Sequence, residues 1–124
     1  MSSVVGLYGF MERSSYAASK HALQGYFESM QLEGDRPSVT IVSPGRVNTE
    51  ISKHALNATG DSHGQMDAGQ TNGMDANVAA RRILRAAAKR KKNLYLGKGE
   101  VLMIYFHRYL PILFRTIAKN ISAR

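Results

Sequence analysis

Tyr16 and Lys20 stand four residues apart in the stretch Tyr16-Ala17-Ala18-Ser19-Lys20. On a helix that spacing puts a phenol and an ammonium on one face, one turn apart. A lone phenol, with an ordinary pKa of ~10, is a poor base near neutrality. A neighbouring cation favours the phenolate, so the pair can move a proton to or from a reacting oxygen. Ser3 lies 13 residues before Tyr16, and its hydroxyl could donate to a substrate carbonyl or alkoxide. Taken alone, Tyr-x-x-x-Lys occurs on many helices as a solvated pair. Other chemistries are thinner. With no cysteine in the chain, disulfide frameworks, thiolate metal centres and cysteine nucleophiles are excluded. His21, His54, His63 and His107 show no ligand spacing, so no metal site is expected.

The elements that must position these groups alternate. Residues 2–6 read as the end of a strand and a turn, with Ser3 at the carboxyl end, where open α/β sheets bind ligands. A helix is expected from Ser14 to about Glu33, capped by Ser14 or Ser15. Its packing residues are expected at Ala17, Ala18, Ala22, Leu23, Phe27, Met30 and Gln31. The run Ser38-Val39-Thr40-Ile41-Val42-Ser43 reads as a buried parallel strand broken by Pro44-Gly45. Residues 52–75, rich in Gly, Asn, Ser, Asp and Gln, read as a long loop of the kind used for lids and binding. Asp75 or Asn77 then opens a second helix to about Lys92, Asn93–Leu96 form a short strand, and an apolar segment runs from Val101 to Ile121. Pro111 kinks or restarts that segment. Strand alternating with helix signals βα units around a parallel sheet. About three strands are countable, a poor sheet on its own, so the pattern reads as part of a larger α/β domain.

The 124 residues make at most one domain. Hydrophobic residues at 44% and charged residues at 21% are ordinary for a globular chain. The net charge of +8 is uneven: residues 1–75 hold 5 basic and 8 acidic groups, residues 76–124 hold 12 basic and 1 acidic. The first residues, Met1 to Arg13, lack a basic start and a long apolar run, so no signal peptide is expected and the default compartment is the cytoplasm.

The motifs together are more specific than any one of them. Ser2-Ser3-x-x-Gly6, Tyr16-Ala17-Ala18-Ser19-Lys20, the strand ending at Ser43, and Pro44-Gly45-Arg46-Val47-Asn48-Thr49 follow in order and register. In this the chain resembles the short-chain dehydrogenase/reductase family, and the last stretch looks like the family's Pro-Gly-x-Val-x-Thr turn. The stretch from Met66 to Ala118 is similar, more loosely, to the C-terminal part of bacterial members and of the membrane-associated seventh subgroup.

The resemblance implies the C-terminal half of a Rossmann-type doubly wound α/β fold. It also implies NAD(P)-dependent interconversion of an alcohol and a carbonyl. Tyr16 would transfer the proton, Lys20 would favour the phenolate and bind the nicotinamide ribose, and Ser3 would orient the substrate oxygen. Pro44, Gly45 and Val47 would form the wall against the nicotinamide, the Val47 backbone meeting the carboxamide, with Thr49 nearby. Residues 1–50 would carry the catalytic and nicotinamide-side motifs, residues 51–75 the substrate lid, and residues 76–124 the basic C-terminal helices. The Tyr16 helix would form a homo-oligomer.

The family's glycine-rich dinucleotide loop, Asn-Ala-Gly element and catalytic asparagine have no counterpart in these residues. Gly97-Lys98-Gly99 does not replace the loop, because position 102 is Leu and no acidic residue follows at the required distance. The expectation is therefore a truncated or fragmentary reductase that meets only the nicotinamide side of its cofactor and leaves NAD and NADP undistinguished.

Two other functions are weighed. One is a non-catalytic fragment that dimerises through the Tyr16 helix. The other is a basic membrane-surface or nucleic-acid module over residues 81–119. Arg81, Arg85, Lys89 and Lys92 share one helix side, which reads first as a solvated face. No aromatic residue lies between 76 and 94, so nucleic-acid stacking is not expected. The apolar, basic and aromatic C-terminal segment reads first as a packed helix, with peripheral membrane contact as its second use.

Overall fold

A computed structural model describes residues 1–34, 36–49 and 72–121. After an extended start and a 3-10 turn at Val4–Gly6, the elements in chain order are α1 (Ser14–Glu33), β1 (Ile41–Pro44), β2 (Val47–Asn48), β3 (Met74–Asp75), α2 (Ala76–Ala88), β4 (Asn93–Leu96), α3 (Gly99–Tyr109) and α4 (Pro111–Asn120). β1 pairs in parallel with β4 in the register Ile41↔Asn93 to Pro44↔Leu96. β2 pairs in parallel with β3. The mixed α/β arrangement with parallel strands and flanking helices is that of a partial Rossmann-type fold.

Successive side chains of a strand point to opposite faces, and β1 uses this to build three layers. Val42 clusters with Ala79 of α2 and with Leu96. Ser43, with no exposed surface, accepts a hydrogen bond from the Gln24 side chain of α1 at 2.8 Å. So α2 covers one face of the strand pair and α1 the other. A second cluster of Val4, Tyr8, Met103 and Phe114 fastens the first turn to α3 and α4. The Tyr8 and Phe114 rings meet edge-on at 5.3 Å.

Several sequence expectations need correction. Residues 2–6 form no assigned strand. Ser3 is extended (φ −156°, ψ 161°) and the Ser2 N–H bonds to the Val42 carbonyl, but Val4–Gly6 immediately coils into the 3-10 turn. Strand pairing therefore stops after one bond, and among the described residues the strands form two two-stranded pairs rather than three strands in one sheet. Neither Ser14 nor Ser15 caps α1; Arg13 holds the cap position, and its side chain makes no capping hydrogen bond. Of the packing residues expected on α1, Ala17 is buried, whereas Ala18 and Ala22 are exposed.

The inward line of α1 runs through Ala17, Gln24 and half-buried Gln31, seven residues apart, and Gln24 is the member the expected set lacked. Gln31 donates to the carbonyls of Val39 (3.1 Å) and Lys92 (2.8 Å). Amides face inward because they satisfy hydroxyl and carbonyl groups on the layer below, which alanine methyls could not. Part of the expected long loop, Met74–Asp75, is strand. The rest of the expected lid, residues 50–71, lies outside the described residues.

The C-terminal half follows the sequence more closely. Asp75 caps α2, its carboxylate accepting the Val78 N–H at 3.0 Å. The helix ends at Ala88, earlier than expected, where Arg90 turns with a positive φ of 50°. Arg81, Arg82 and Arg85 are exposed while Ala79 and Ala86 are buried, so the basic run is a solvated face. Pro111 begins α4 rather than kinking α3. Among the described residues, no helix is long and apolar enough to cross a membrane.

Gly6 is required by close approach. A Cβ there would stand 2.5 Å from Ser2 Oγ and 2.9 Å from the Lys20 carbonyl oxygen. The second atom is backbone, so relief means moving α1 away from the turn. Gly6→Ala is expected to cost ~1–3 kcal/mol, the scale of overpacking, measured by urea unfolding. A change below ~0.5 kcal/mol, the level of a neutral surface substitution, would contradict this account.

Candidate active site

The site is assembled by two short hydrogen-bonded ties. Ser2 Oγ donates to the Lys20 carbonyl at 3.1 Å, fastening the extended start to the second turn of α1. Ser3 Oγ donates to the Pro44 carbonyl at 3.4 Å and accepts the Val5 N–H at 3.3 Å, fastening the next residue to the end of β1. Adjacent serines thus bring the helix carrying Tyr16 and Lys20 beside the Pro44-Gly45 turn. Gln24 completes the frame, donating to Ser2 Oγ (3.3 Å) and Ser43 Oγ (2.8 Å). It is only 6% exposed, so this polar network sits in a low-dielectric setting where an unmatched partner would be costly.

Ser3 is buried and Tyr16 is 41% exposed. The Lys20 ammonium lies 5.5 Å from the centroid of the Tyr16 ring, which confirms the one-turn pairing and adds a cation–π contact. His21 is exposed and bonds back through Nδ1 to the Ala17 carbonyl at 2.8 Å, the contact of a helix-surface residue. Thr49 is half-buried just past β2.

The Pro44–Val47 turn is held from several directions. The Gly45 N–H bonds to the Leu96 carbonyl at 2.6 Å, and the Arg46 carbonyl accepts from Met74 N–H at 2.9 Å. With Val47 opposite Met74 in a parallel ladder, this bond pattern turns the backbone N–H and C=O of Val47 toward the edge away from β3. A donor and an acceptor side by side on one strand edge fit a carboxamide. The hydroxyl of Ser3, the phenol of Tyr16 and the ammonium of Lys20 fit a ribose and a reacting oxygen. These are the groups among the described residues that could hold the nicotinamide side of a dinucleotide. No group of His, Asp and Glu among them suits a metal ion.

One residue of this region was missed from sequence. Glu100, at the start of α3, accepts the Lys98 N–H at 3.0 Å and the Arg46 N–H at 3.3 Å. Partial burial pushes its carboxyl up, but backbone N–H groups of Glu100, Lys98 and Arg46, together with the Arg46 guanidinium, outweigh that and hold it below its ordinary value of 4.5. Tyr8 faces the same carboxylate. Burial first, and then the Glu100 charge, push its phenol up to about 12, with Arg46 opposing. The available signal was that Glu100 is the single acidic residue of the basic segment 76–124.

A group with a depressed folded pKa stabilises above its unfolded value and ceases to do so as pH falls through the folded one. The stability advantage of the native chain over Glu100→Gln is therefore expected to be full above pH 4.5 and to shrink progressively below it, as read by thermal unfolding at stepped pH. An advantage that grows on acidification would reverse the assignment.

An α/β scaffold with a Ser-Tyr-Lys set beside a Pro-Gly turn defines a class of protein, and comparisons with known sequences identify it. Residues 1–60 match the family model described as short chain dehydrogenase. The chain is 39% identical over 112 residues to the Anopheles gambiae protein named Dehydrogenase/reductase SDR family protein 7-like, covering 89% of this chain and 35% of that one. It is 38% identical over 124 residues to the Danio rerio Dehydrogenase/reductase SDR family member 7B, covering 97% of this chain and 40% of that one. To the Mus musculus protein of the same name it is 32% identical over 126 residues, covering 100% and 37%. The chain belongs to the short-chain dehydrogenase/reductase family, and it spans 35–40% of the length of these curated relatives.

Proposed function

We propose that this chain supplies the catalytic and nicotinamide-side portion of an NAD(P)-dependent oxidoreductase that interconverts an alcohol and a carbonyl. The observation that carries the reading is the pair of ties from Ser2 to the Lys20 carbonyl and from Ser3 to the Pro44 carbonyl. They tie the helix that carries Tyr16 and Lys20, and the Ser3 hydroxyl, to the segments beside the Pro44-Gly45 turn, which supports the reading. The bound nicotinamide would supply or accept the hydride.

Tyr16 gives a proton to the carbonyl oxygen during reduction and removes it from the alcohol during oxidation. Lys20 favours the charged phenolate that oxidation requires and donates to the ribose. Ser3 can release its long 3.4 Å bond to Pro44 and donate to the substrate oxygen, holding it for proton transfer. Val47 offers its backbone pair to the carboxamide, while Pro44 and Gly45 form the adjoining wall. Tyr26 and Leu32 are exposed on α1, which supports association of two copies through that helix.

The test is hydride transfer monitored by nicotinamide absorbance, with NAD and NADP and a panel of secondary alcohols and their ketones. It is run on the native polypeptide isolated from its source, with its intact mass recorded. Cofactor-dependent turnover that Ser3→Ala and Tyr16→Phe each reduce supports the reading. Turnover indifferent to both, or no turnover with either cofactor, refutes it.

A further inference from the structure

The geometry points to Glu100 as a positioning residue that sets the conformation of the Pro44–Val47 turn from 54 residues away in sequence. Its two carboxylate oxygens divide between two segments, Oε2 on the Lys98 N–H that opens α3 and Oε1 on the Arg46 N–H in the turn. The fit around it is close on both sides. A Cβ at Gly45 would lie 3.2 Å from Glu100 Cβ and 3.3 Å from Cδ, and one at Gly97 would lie 3.4 Å from Oε2. Gly97 also has φ 154°, which side-chain-bearing residues rarely adopt. Two glycines thus leave the space that lets this carboxylate reach across from α3 to the turn.

The position in the turn gives the contact its consequence. The Pro44 carbonyl is tied to Ser3 and the Gly45 N–H to Leu96, so the peptide plane between Gly45 and Arg46 is fixed at its N–H end by Glu100. That plane lies one residue before the Arg46–Val47 plane, whose carbonyl accepts the Met74 N–H. If it rotates, the change passes through the Arg46 dihedrals to that bond and to the Val47 N–H in the same plane. A charged acceptor suits this work, because hydrogen bonds to an ionised group are roughly twice as strong as neutral ones. Arg46 and Tyr8 are the charged and titratable groups that face it from the turn and from the first segment.

The effect on the turn stands on the geometry alone, whereas the effect on cofactor rests on the oxidoreductase reading above. The experiment separates the two. Amide hydrogen exchange is compared in the native protein, Glu100→Gln, Glu100→Asp and a surface control, Glu33→Gln, with no ligand added. Glu100→Gln keeps the shape but loses the charge, and Glu100→Asp keeps the charge but is too short to bridge both segments. Both are expected to speed exchange at Arg46 by ~10-fold, the signature of local opening, with β1 and α1 unchanged. Steady-state kinetics with NAD or NADP varied should then show KM for the cofactor raised by ~10-fold, one lost charge-assisted contact, with kcat within about twofold.

Unchanged exchange at Arg46 in both variants overturns the proposal. Faster exchange with an unaltered KM overturns its cofactor arm. Absence of turnover in the native protein counts against the oxidoreductase reading alone, since exchange at Arg46 still decides the role of Glu100.

Discussion

Tyr16→Phe is expected to lower nicotinamide-dependent turnover by ~10²–10⁴-fold, the range for loss of a positioned general acid or base, equivalent to ~2.7–5.4 kcal/mol of barrier. The substitution removes one oxygen and little else. The ring is 41% exposed, so no packed core depends on the hydroxyl. The Ser19 side chain bonds to the Tyr16 backbone carbonyl at 2.8 Å, which phenylalanine retains. The Lys20 ammonium keeps an aromatic face to sit over. Thermal stability should therefore stay within about ±0.5 kcal/mol, as for surface changes. The loss should fall on kcat far more than on cofactor KM, since Lys20 and the Val47 edge remain. A variant that retains wild-type kcat would remove Tyr16 from the chemistry. If instead the chain were only a dimerising fragment, native protein and variant would be equally inactive and would associate equally.

Leu96→Ala should be the most damaging single truncation in the core, at ~2–5 kcal/mol. Leu96 is 1% exposed and joins Val42 and Ala79 between the strand pair and α2, with Val47, Met74, Ile83 and Leu94 packed around them. Globular domains hold only ~5–15 kcal/mol in total, so the loss takes a large share. In urea the midpoint should fall with little change in slope, because the surface exposed on unfolding is nearly the same. The damage should also reach the site, since Leu96 pairs with Pro44 and its carbonyl receives the Gly45 N–H. Half-buried Leu94 serves as the comparison: Leu94→Ala should cost clearly less. Equal costs at the two positions would show that the core is not centred on Leu96.

The two predictions differ in how they could have been reached. The Tyr16 prediction was available from the residues: the four-residue spacing to Lys20, the 13-residue spacing from Ser3 and the Pro-Gly turn are local patterns. Helical and strand periodicity likewise marked α1, β1 and β4, Asp75 as the cap of α2 and Pro111 as a break. Such features are set by backbone sterics and nearest neighbours, so they survive in a linear reading. The inward place of Gln24 on α1 did not, because its burial depends on the Ser2 and Ser43 hydroxyls that only folding brings beneath it.

By itself, then, the sequence determined most of the helices and the β1 and β4 strands, their order, and the candidate groups for proton transfer. Short-range forces act over a few residues, and those residues are adjacent in the chain. Tertiary structure decided which hydroxyl faces which carbonyl, that Gly6 must leave α1 room, and that the first strand stops after one bond at Ser2. It also decided that Glu100 holds the turn before Val47. Each of these depends on atoms distant in sequence meeting at hydrogen-bonding or van der Waals contact, and such meetings are selected by the packing of the whole domain.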